Sequence, residues 1–233
     1  MAEIIRLEGL DFGYGDKCVL KQVDLAVEEG EALVLLGPSG VGKSTVLRLM
    51  SGLLEPTAGS VTVAETQTGV GTRLVFQQPR LFPWMTVRKN LYFALRAAGV
   101  PRADWDERIA PLMTQVGLMD ELEASIASLS IGMAQRVALV RSLVCQPSVL
   151  LLDEPFSALD PKRRLQLQQD LLKLVSFTQV SVVMVTHDIQ EAMALGDQIV
   201  VLSGSPASVT ARIDMGATSK EAAQQQIEDL LLG

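Results

Sequence analysis

A glycine-rich stretch from Gly37 to Thr45 has the spacing that most clearly indicates chemistry. It matches the pattern G-x-x-x-x-G-K-[ST], in which backbone N–H groups surround phosphate oxygens. Glycine permits the tight curvature that directs successive N–H groups inward. Lys43 can reach the β- and γ-phosphates, and the Ser44 hydroxyl can complete a magnesium shell. The residues predicted to contact nucleotide here are Gly37, Pro38, Ser39, Gly40, Val41, Gly42, Lys43, Ser44 and Thr45.

Two carboxylates, Asp153 and Glu154, follow the apolar run of residues 149–152. A buried strand that ends in aspartate places an oxygen ligand at the carboxyl edge of a sheet, where α/β proteins bind ligands. We expect Asp153 to hold Mg²⁺ and Glu154 to orient and polarise an attacking water. With the glycine-rich loop, these carboxylates predict hydrolysis of a nucleoside triphosphate. The loop alone would also fit kinases, GTPases and motors.

Short apolar runs alternate with helical patterns and predict the elements that position these residues. The resulting prediction is an α/β protein with a largely parallel sheet and crossover helices. Strands are predicted near the amino terminus and at residues 31–37, 148–155, 180–187 and 197–203, and helices after Lys43 and from Pro161. Residues 86–146 instead contain three helical patterns, which indicates a helical insertion. The last residues, 218–233, predict one more amphipathic helix, either packed or frayed.

Composition excludes several classes of protein. The chain has 233 residues, 48% of them apolar, and a net charge of −7, with a mean hydropathy of +0.28. This balance predicts a globular protein and argues against nucleic-acid binding, which usually needs a basic face. No apolar run is long enough to cross a bilayer, and the amino terminus lacks the pattern of a secretory signal. Cys18 and Cys145 fit no metal-ligand spacing and are predicted to be reduced, buried thiols.

Residues 129–133 read Leu-Ser-Ile-Gly-Met and open a helical pattern just before the strand that ends at Asp153. With the motifs above, the chain resembles the ATP-binding cassette (ABC) family, whose signature is Leu-Ser-Gly-Gly-Gln. The resemblance covers about residues 3 to 204. Ser130 and Gly132 coincide with the serine and second glycine, which in the family contact the γ-phosphate held by another subunit. Ile131 replaces the first glycine and, being β-branched, predicts an ordinary backbone conformation; Met133 replaces the glutamine. A capped helix without a ligand is the alternative.

The resemblance implies roles for further residues. It implies a RecA-like P-loop NTPase core, an N-terminal antiparallel β subdomain and an inserted α-helical subdomain. His187 resembles the switch histidine that contacts the γ-phosphate, and Asp160 resembles the aspartate of the loop that crosses to the facing subunit. Gln77 resembles the glutamine that touches Mg²⁺ and water, with Gln78 as the competing assignment. Tyr14 resembles the aromatic residue that stacks on adenine, or is a surface turn residue.

The same resemblance implies one domain over residues 1–233, with a nucleotide-binding core of 1–78 and 147–233 and a helical subdomain at about 79–146. It implies ATP and Mg²⁺ as ligands, and a homodimer or a pair with a similar ATPase. Transmembrane permease subunits would hold the chain at the cytoplasmic side of the inner membrane, and a periplasmic or surface substrate-binding protein would act indirectly. Phe82 and Trp84 would either contact the permease or belong to the core.

Residues 76–87 look like the nitrate, sulfonate and taurine importer branch. The expected function is therefore an importer ATPase for a small solute. The alternatives are the ATPase of an exporter or lipid-trafficking complex, and a soluble cassette ATPase that remodels nucleic acid or ribosomes. Soluble cassettes of that kind usually carry two cassettes or basic extensions, which this sequence lacks. No large C-terminal regulatory domain is expected.

Overall fold

The computed structural model describes residues 2–64, 71–157 and 159–232. They fall into two compact units. The first unit comprises Met1–Glu65, Leu151–Glu154 and Ser181–Gly233, and the second comprises Thr66–Leu150 and Pro155–Val180. The division predicted from the sequence, with a helical subdomain at about 79–146, stays a prediction.

Nine strands and seven α-helices are present in the part of the chain that the structure describes. In chain order they are β1 (Glu3–Tyr14), β2 (Lys17–Glu28), β3 (Ala32–Leu36), α1 (Lys43–Met50), β4 (Ala58–Val63), β5 (Thr72–Val75), α2 (Val87–Ala97), α3 (Trp105–Gln115), α4 (Ile131–Leu143), β6 (Val149–Asp153), α5 (Pro161–Thr178), β7 (Ser181–Thr186), α6 (Ile189–Leu195), β8 (Gln198–Gly204), β9 (Ala207–Asp214) and α7 (Lys220–Leu232).

The first unit is built on a mixed sheet in the order β4-β1-β2-β9-β8-β3-β7-β6. Strand β3 lies between β7 and β8 and pairs in parallel with both, Leu33 being opposite Val183 and Gln198. Strands β3 and β7 are almost continuous apolar runs, as expected for parallel strands covered on both faces. The pairs β1–β2, β1–β4 and β8–β9 are antiparallel. The carboxyl ends of β3, β6 and β7 lead into the predicted site residues.

The second unit is mainly helical, with α4 packed against α2, α3 and α5. Side chains of the residues before three helices cap their first turns: Thr86 before α2, Ser130 before α4 and Asp160 before α5 each accept a backbone N–H. Pro161 occupies the first turn of α5, where its missing N–H costs nothing. These caps explain why the three helices begin where the sequence predicted them.

Several sequence predictions are corrected or completed. Cys145 is buried as expected, but Cys18 is exposed, so the prediction of two buried thiols was wrong for Cys18. Its apolar neighbours suggested burial, yet it lies close to the hairpin turn that ends β1. Helix α7 is packed, because Ala223 and Ile227 are fully buried. Strand β9 and helix α6 were not predicted; α6 is too short to show helical periodicity. None of the helices in the described residues has both the length and the apolar character needed to cross a membrane.

Candidate nucleotide-binding site

The glycine-rich loop runs from the end of β3 into α1, as predicted. Gly40 and Gly42 have positive φ, +79° and +116°, which side chains other than glycine rarely adopt. A methyl group on Gly42 would also come within 2.9 Å of Leu20 Cδ2, so β2 lies directly against the loop. No side chain caps α1, whose first N–H groups thus remain available for an anion.

Lys43 is buried with its ammonium group turned back onto the loop. Its Nζ donates to the carbonyl oxygens of Gly37 at 2.7 Å and Pro38 at 2.9 Å. Burial lowers the pKa of Lys43, and the nearby carboxylates Glu154 and Asp153 oppose that effect. The cation is therefore positioned inside the loop, where a phosphate could exchange for these carbonyl contacts.

Ser44 and Asp153 are adjacent, although 109 positions separate them in the chain. The Ser44 hydroxyl donates to Asp153 Oδ1 at 2.6 Å, and Asp153 is buried at the end of β6. A hydroxyl and a carboxylate side by side are the hard oxygen ligands that Mg²⁺ prefers, its remaining positions being filled by phosphate oxygens and water. These two residues therefore fit the predicted metal site.

Glu154 and His187 are also adjacent, each being the first residue beyond its strand. His187 Nδ1 lies 3.4 Å from Glu154 Oε2. Glu154 has a φ of +45°, and its N–H donates to Val185 O on β7 at 3.2 Å. The two strand ends thus place a carboxylate and an imidazole side by side at the edge where Asp153 lies.

Tyr14 is exposed at the end of β1, where its ring packs edge-on against Phe12 with centroids 4.9 Å apart. One ring face can thus receive a planar base. Stacking on adenine stays a prediction.

The second unit contains the remaining predicted site residues. The Gln77 amide donates to Ser157 Oγ at 2.9 Å, and both Gln77 and Gln78 are exposed. Ser130 accepts the Met133 N–H at 3.3 Å as the cap of α4. Ile131 is exposed and has a negative φ, as its β-branched side chain predicted. Gly132 is itself buried, but a methyl group on it would meet nothing within 4 Å, so there is free space beside this helix end.

Ser130, Gly132 and Asp160 line one cavity of about 450 Å³ in this unit. Arg136, Lys162 and Arg163 line the same cavity, and Asp160 accepts the Arg163 N–H as the cap of α5. The residues that the resemblance assigns to contact with a second subunit are therefore brought together at an accessible surface.

The model of the family described as ABC transporter matches residues 20–157, which is more than half of the chain. The chain belongs to the ABC transporter family. Proteins with this domain are ATPases, and their ligand is ATP. The sequence resemblance is thereby confirmed.

Two relatives show which ABC proteins this chain is similar to. The aliphatic sulfonates import ATP-binding protein of Pseudomonas savastanoi pv. phaseolicola is 42% identical over 204 residues, which are 87% of this chain and 82% of that protein. The nitrate import ATP-binding protein of Synechocystis is 40% identical over 210 residues, which are 89% of this chain and 79% of that protein.

Solved structures of ABC proteins share the fold. That of cbiO1 from Clostridium perfringens, part of an ABC transporter complex, superposes with a TM-score of 0.83 at 24% identity, covering 98% of this chain and 95% of that one. Another ATP-binding subunit of an ABC transporter gives a TM-score of 0.79 at 25% identity, covering 97% and 99%. The predicted α/β fold of the P-loop NTPase type is confirmed.

In this ABC ATPase, sequence reasoning missed the residues that hold His187. The Thr186 hydroxyl donates to Glu191 Oε2 at 2.6 Å and accepts the Asp188 N–H at 3.0 Å. Asp188 in turn caps α6 by accepting the N–H groups of Gln190 and Glu191. Glu191 is only 5% exposed. A Thr-His-Asp sequence followed by an acidic residue in a short helix was the available signal.

Proposed function

We propose that this chain is the ATP-hydrolysing subunit of an importer for a small oxyanion such as a sulfonate or nitrate. The observation that supports hydrolysis most directly is the pairing of Glu154 with His187 beside the Ser44–Asp153 pair. The two relatives named above, both import ATP-binding proteins, support import and this class of cargo.

In the proposed mechanism, the loop N–H groups and Lys43 bind the phosphates of ATP. Ser44 and Asp153 would hold Mg²⁺, which supplies charge neutralisation to the phosphates when bound. Glu154 accepts a hydrogen bond from the attacking water and orients it toward the γ-phosphate. His187 contacts the γ-phosphate and fixes the orientation of Glu154.

A second copy, or a similar ATPase, would supply the groups that this chain lacks over the γ-phosphate. Ser130 and Gly132 at the start of α4 offer a hydroxyl and the N–H groups of a first helical turn, which can form an anion site. With the two copies facing head to tail, Asp160 would lie at their interface and ATP would hold the pair together. Hydrolysis removes the γ-phosphate contacts, so the pair opens.

An exposed aromatic patch, defined as Phe82, Trp84 and Phe93, is proposed as the contact with the permease. Trp84 is 76% exposed and Phe93 49% exposed, and the Phe82 ring lies 4.8 Å from the Phe93 ring centroid. Large aromatic side chains at such exposure are typical of binding surfaces. Through this patch the permease would hold the chain at the cytoplasmic face of the inner membrane, and a substrate-binding protein outside would deliver the cargo.

The experiment is Glu154→Gln in the transporter complex purified with its permease. Glutamine keeps the size of the side chain but accepts a proton far less readily, so we expect ATP to bind and the ATP-bound dimer to accumulate with little turnover. The control is Glu55→Gln, which changes an exposed carboxylate in the same unit. ATPase activity in Glu154→Gln equal to that of the control would reject Glu154 as the group that orients water. Uptake assays with a sulfonate, nitrate and an unrelated sugar would test the cargo class.

A further inference from the structure

We propose that Arg141 is a positioning residue that ties the segment of the aromatic patch, residues 79–86, to helix α4, so that the two move together. This inference rests on the proposed contact between the patch and a permease. It adds a specific link between that contact and the helix that begins after Ser130.

Arg141 lies near the end of α4 and holds the first residues of the segment. Its guanidinium donates to Arg80 O at 2.9 Å and to Pro79 O at 3.1 Å. The planar fork of arginine can serve two neighbouring carbonyl groups at once, which a lysine ammonium on a flexible stem does less rigidly. Arg141 is half-buried, and this burial lowers the pKa of its guanidinium. Hydrogen bonds from a partly desolvated charged group are stronger than the same bonds in water.

Asn90 on α2 holds the other end of the segment. Its side chain is fully buried, accepts the Phe82 N–H at 2.8 Å, and donates to Phe82 O at 3.2 Å and Thr86 O at 3.0 Å. All the hydrogen-bonding capacity of this amide is thus directed at the backbone of the segment, apart from one acceptor position. The segment is therefore fastened at Phe82 and Thr86 as well as at Pro79 and Arg80.

The backbone of residues 79–86 includes one residue in an unusual conformation that its surroundings hold in place. Arg80 has a φ of +45°, and its guanidinium lies 3.9 Å from the ring centroid of Phe76. A conformation of this kind is unfavourable for a residue with a side chain, so it persists only where the surroundings hold it. The Arg141 contact to Arg80 O is one such restraint. A force on Trp84 would therefore shift the whole segment.

Helix α4 would carry that shift from Arg141, near its last turn, to Ser130 at its start. Eleven positions separate Arg141 from Ser130, which corresponds to about 16 Å along a helix. Residues from Gly132 to Leu143 on α4 are largely buried against α2, α3 and α5, so the helix is a rigid element. A permease that displaces the patch would thereby displace the helix end proposed to contact the nucleotide of the second copy.

The test compares Arg141→Lys and Arg141→Gln with Arg88→Lys, the matched control. Arg88 lies on α2 and bonds Glu123, Tyr92 and Asp106, so its replacement leaves the segment's restraints intact. We expect both Arg141 variants to assemble with the permease. In the absence of the permease, their rates of ATP hydrolysis should be within about twofold of the wild-type rate. Permease-stimulated hydrolysis should fall between about twofold and thirtyfold, the range for residues that transmit coupling. Amide hydrogen exchange in residues 79–86 should become faster in these variants and not in the control.

The inference would be overturned if the permease stimulated hydrolysis in the Arg141 variants as strongly as in Arg88→Lys. This would hold even if amide exchange became faster, because the Arg141 contacts would then have no role in coupling. Unchanged exchange in residues 79–86 would overturn it as well. If the wild-type chain assembles with no permease, the proposed function fails. Amide hydrogen exchange in the isolated chain is then the deciding measurement. Faster exchange confined to residues 79–86 in the Arg141 variants would support the role of Arg141 in holding this segment.

Discussion

Replacing Thr186 with valine should destabilise the turn after β7 and slow ATP hydrolysis. It should leave the affinity for ATP unchanged. Valine has nearly the shape of threonine but has no hydroxyl. The change therefore removes the hydrogen bond to the buried Glu191 carboxylate and leaves the Asp188 N–H without its acceptor. His187 lies between these two contacts in the chain, so its imidazole loses the framework that directs it toward Glu154.

The expected loss of stability follows from these contacts. A hydrogen bond to a charged group contributes about 1.5–3 kcal/mol, and a partly buried N–H without an acceptor adds to the cost. We expect a loss of about 2–3 kcal/mol in the free energy of unfolding. For a chain of this length that corresponds to a fall of about 4–12 °C in Tm. A displaced catalytic group can cost up to about a hundredfold in rate, so we expect kcat for ATP to fall about tenfold.

Calorimetry would give Tm, nucleotide titration would give the ATP Kd, and steady-state hydrolysis would give kcat and KM. The Thr186 hydroxyl bonds Glu191 and Asp188, which lie outside the phosphate loop, so the ATP Kd should stay within about twofold of wild type. Thr178→Val is the control, because the Thr178 hydroxyl donates to the Leu174 carbonyl of its own helix. A normal kcat together with the expected fall in Tm would refute the reasoning, since the turn would then be structural only.

Three further changes have definite expected outcomes. Gly42→Ala should lower Tm and weaken ATP binding, because φ is +116° and the methyl group meets β2, whereas Gly99→Ala, with φ +71° and open space, should lower Tm only. Burial raises the pKa of Glu31, and nearby carboxylates reinforce this shift. Ionisation of Glu31 therefore lowers the free energy of unfolding at neutral pH, and this cost disappears as the pH falls through the folded-state pKa. Glu31→Gln should thus raise Tm at pH 7 but not at pH 4. Ile131→Gly should leave ATP binding unchanged and preserve or raise hydrolysis, and a weaker ATP Kd would contradict our interpretation of this helix end.

The phosphate loop could be predicted from the sequence because its chemistry is local. The conformations of Gly40 and Gly42 depend on residues within a few positions, and the same holds for the Ser130 and Asp160 caps. Pattern alone therefore located these residues and the direction of the helices that follow them.

Other features depend on residues that are distant in sequence and could not be predicted in the same way. The exposure of Cys18 depends on what covers its side of β2. The tie between Arg141 and Pro79 spans 62 positions, and no periodicity or motif indicates it. Gly37 is another example, because a methyl group there would come 2.3 Å from Leu202 O on β8. Its requirement for glycine thus comes from a neighbouring strand as well as from the loop.

The backbone conformation of Glu154 is important for the candidate site, and local sequence patterns do not predict it. A glutamate with φ +45° is unfavourable by about 1–2 kcal/mol, and nothing in the sequence Asp-Glu-Pro predicts it. In exchange, the chain turns sharply after β6, and Glu154 N–H bonds Val185 O on the neighbouring strand. Its carboxylate then faces His187, while Asp153, one residue earlier, faces Ser44. In an extended strand, consecutive side chains would point to opposite faces of the sheet. The turn therefore allows two adjacent carboxylates to take the two proposed roles, Asp153 at the metal and Glu154 at the water.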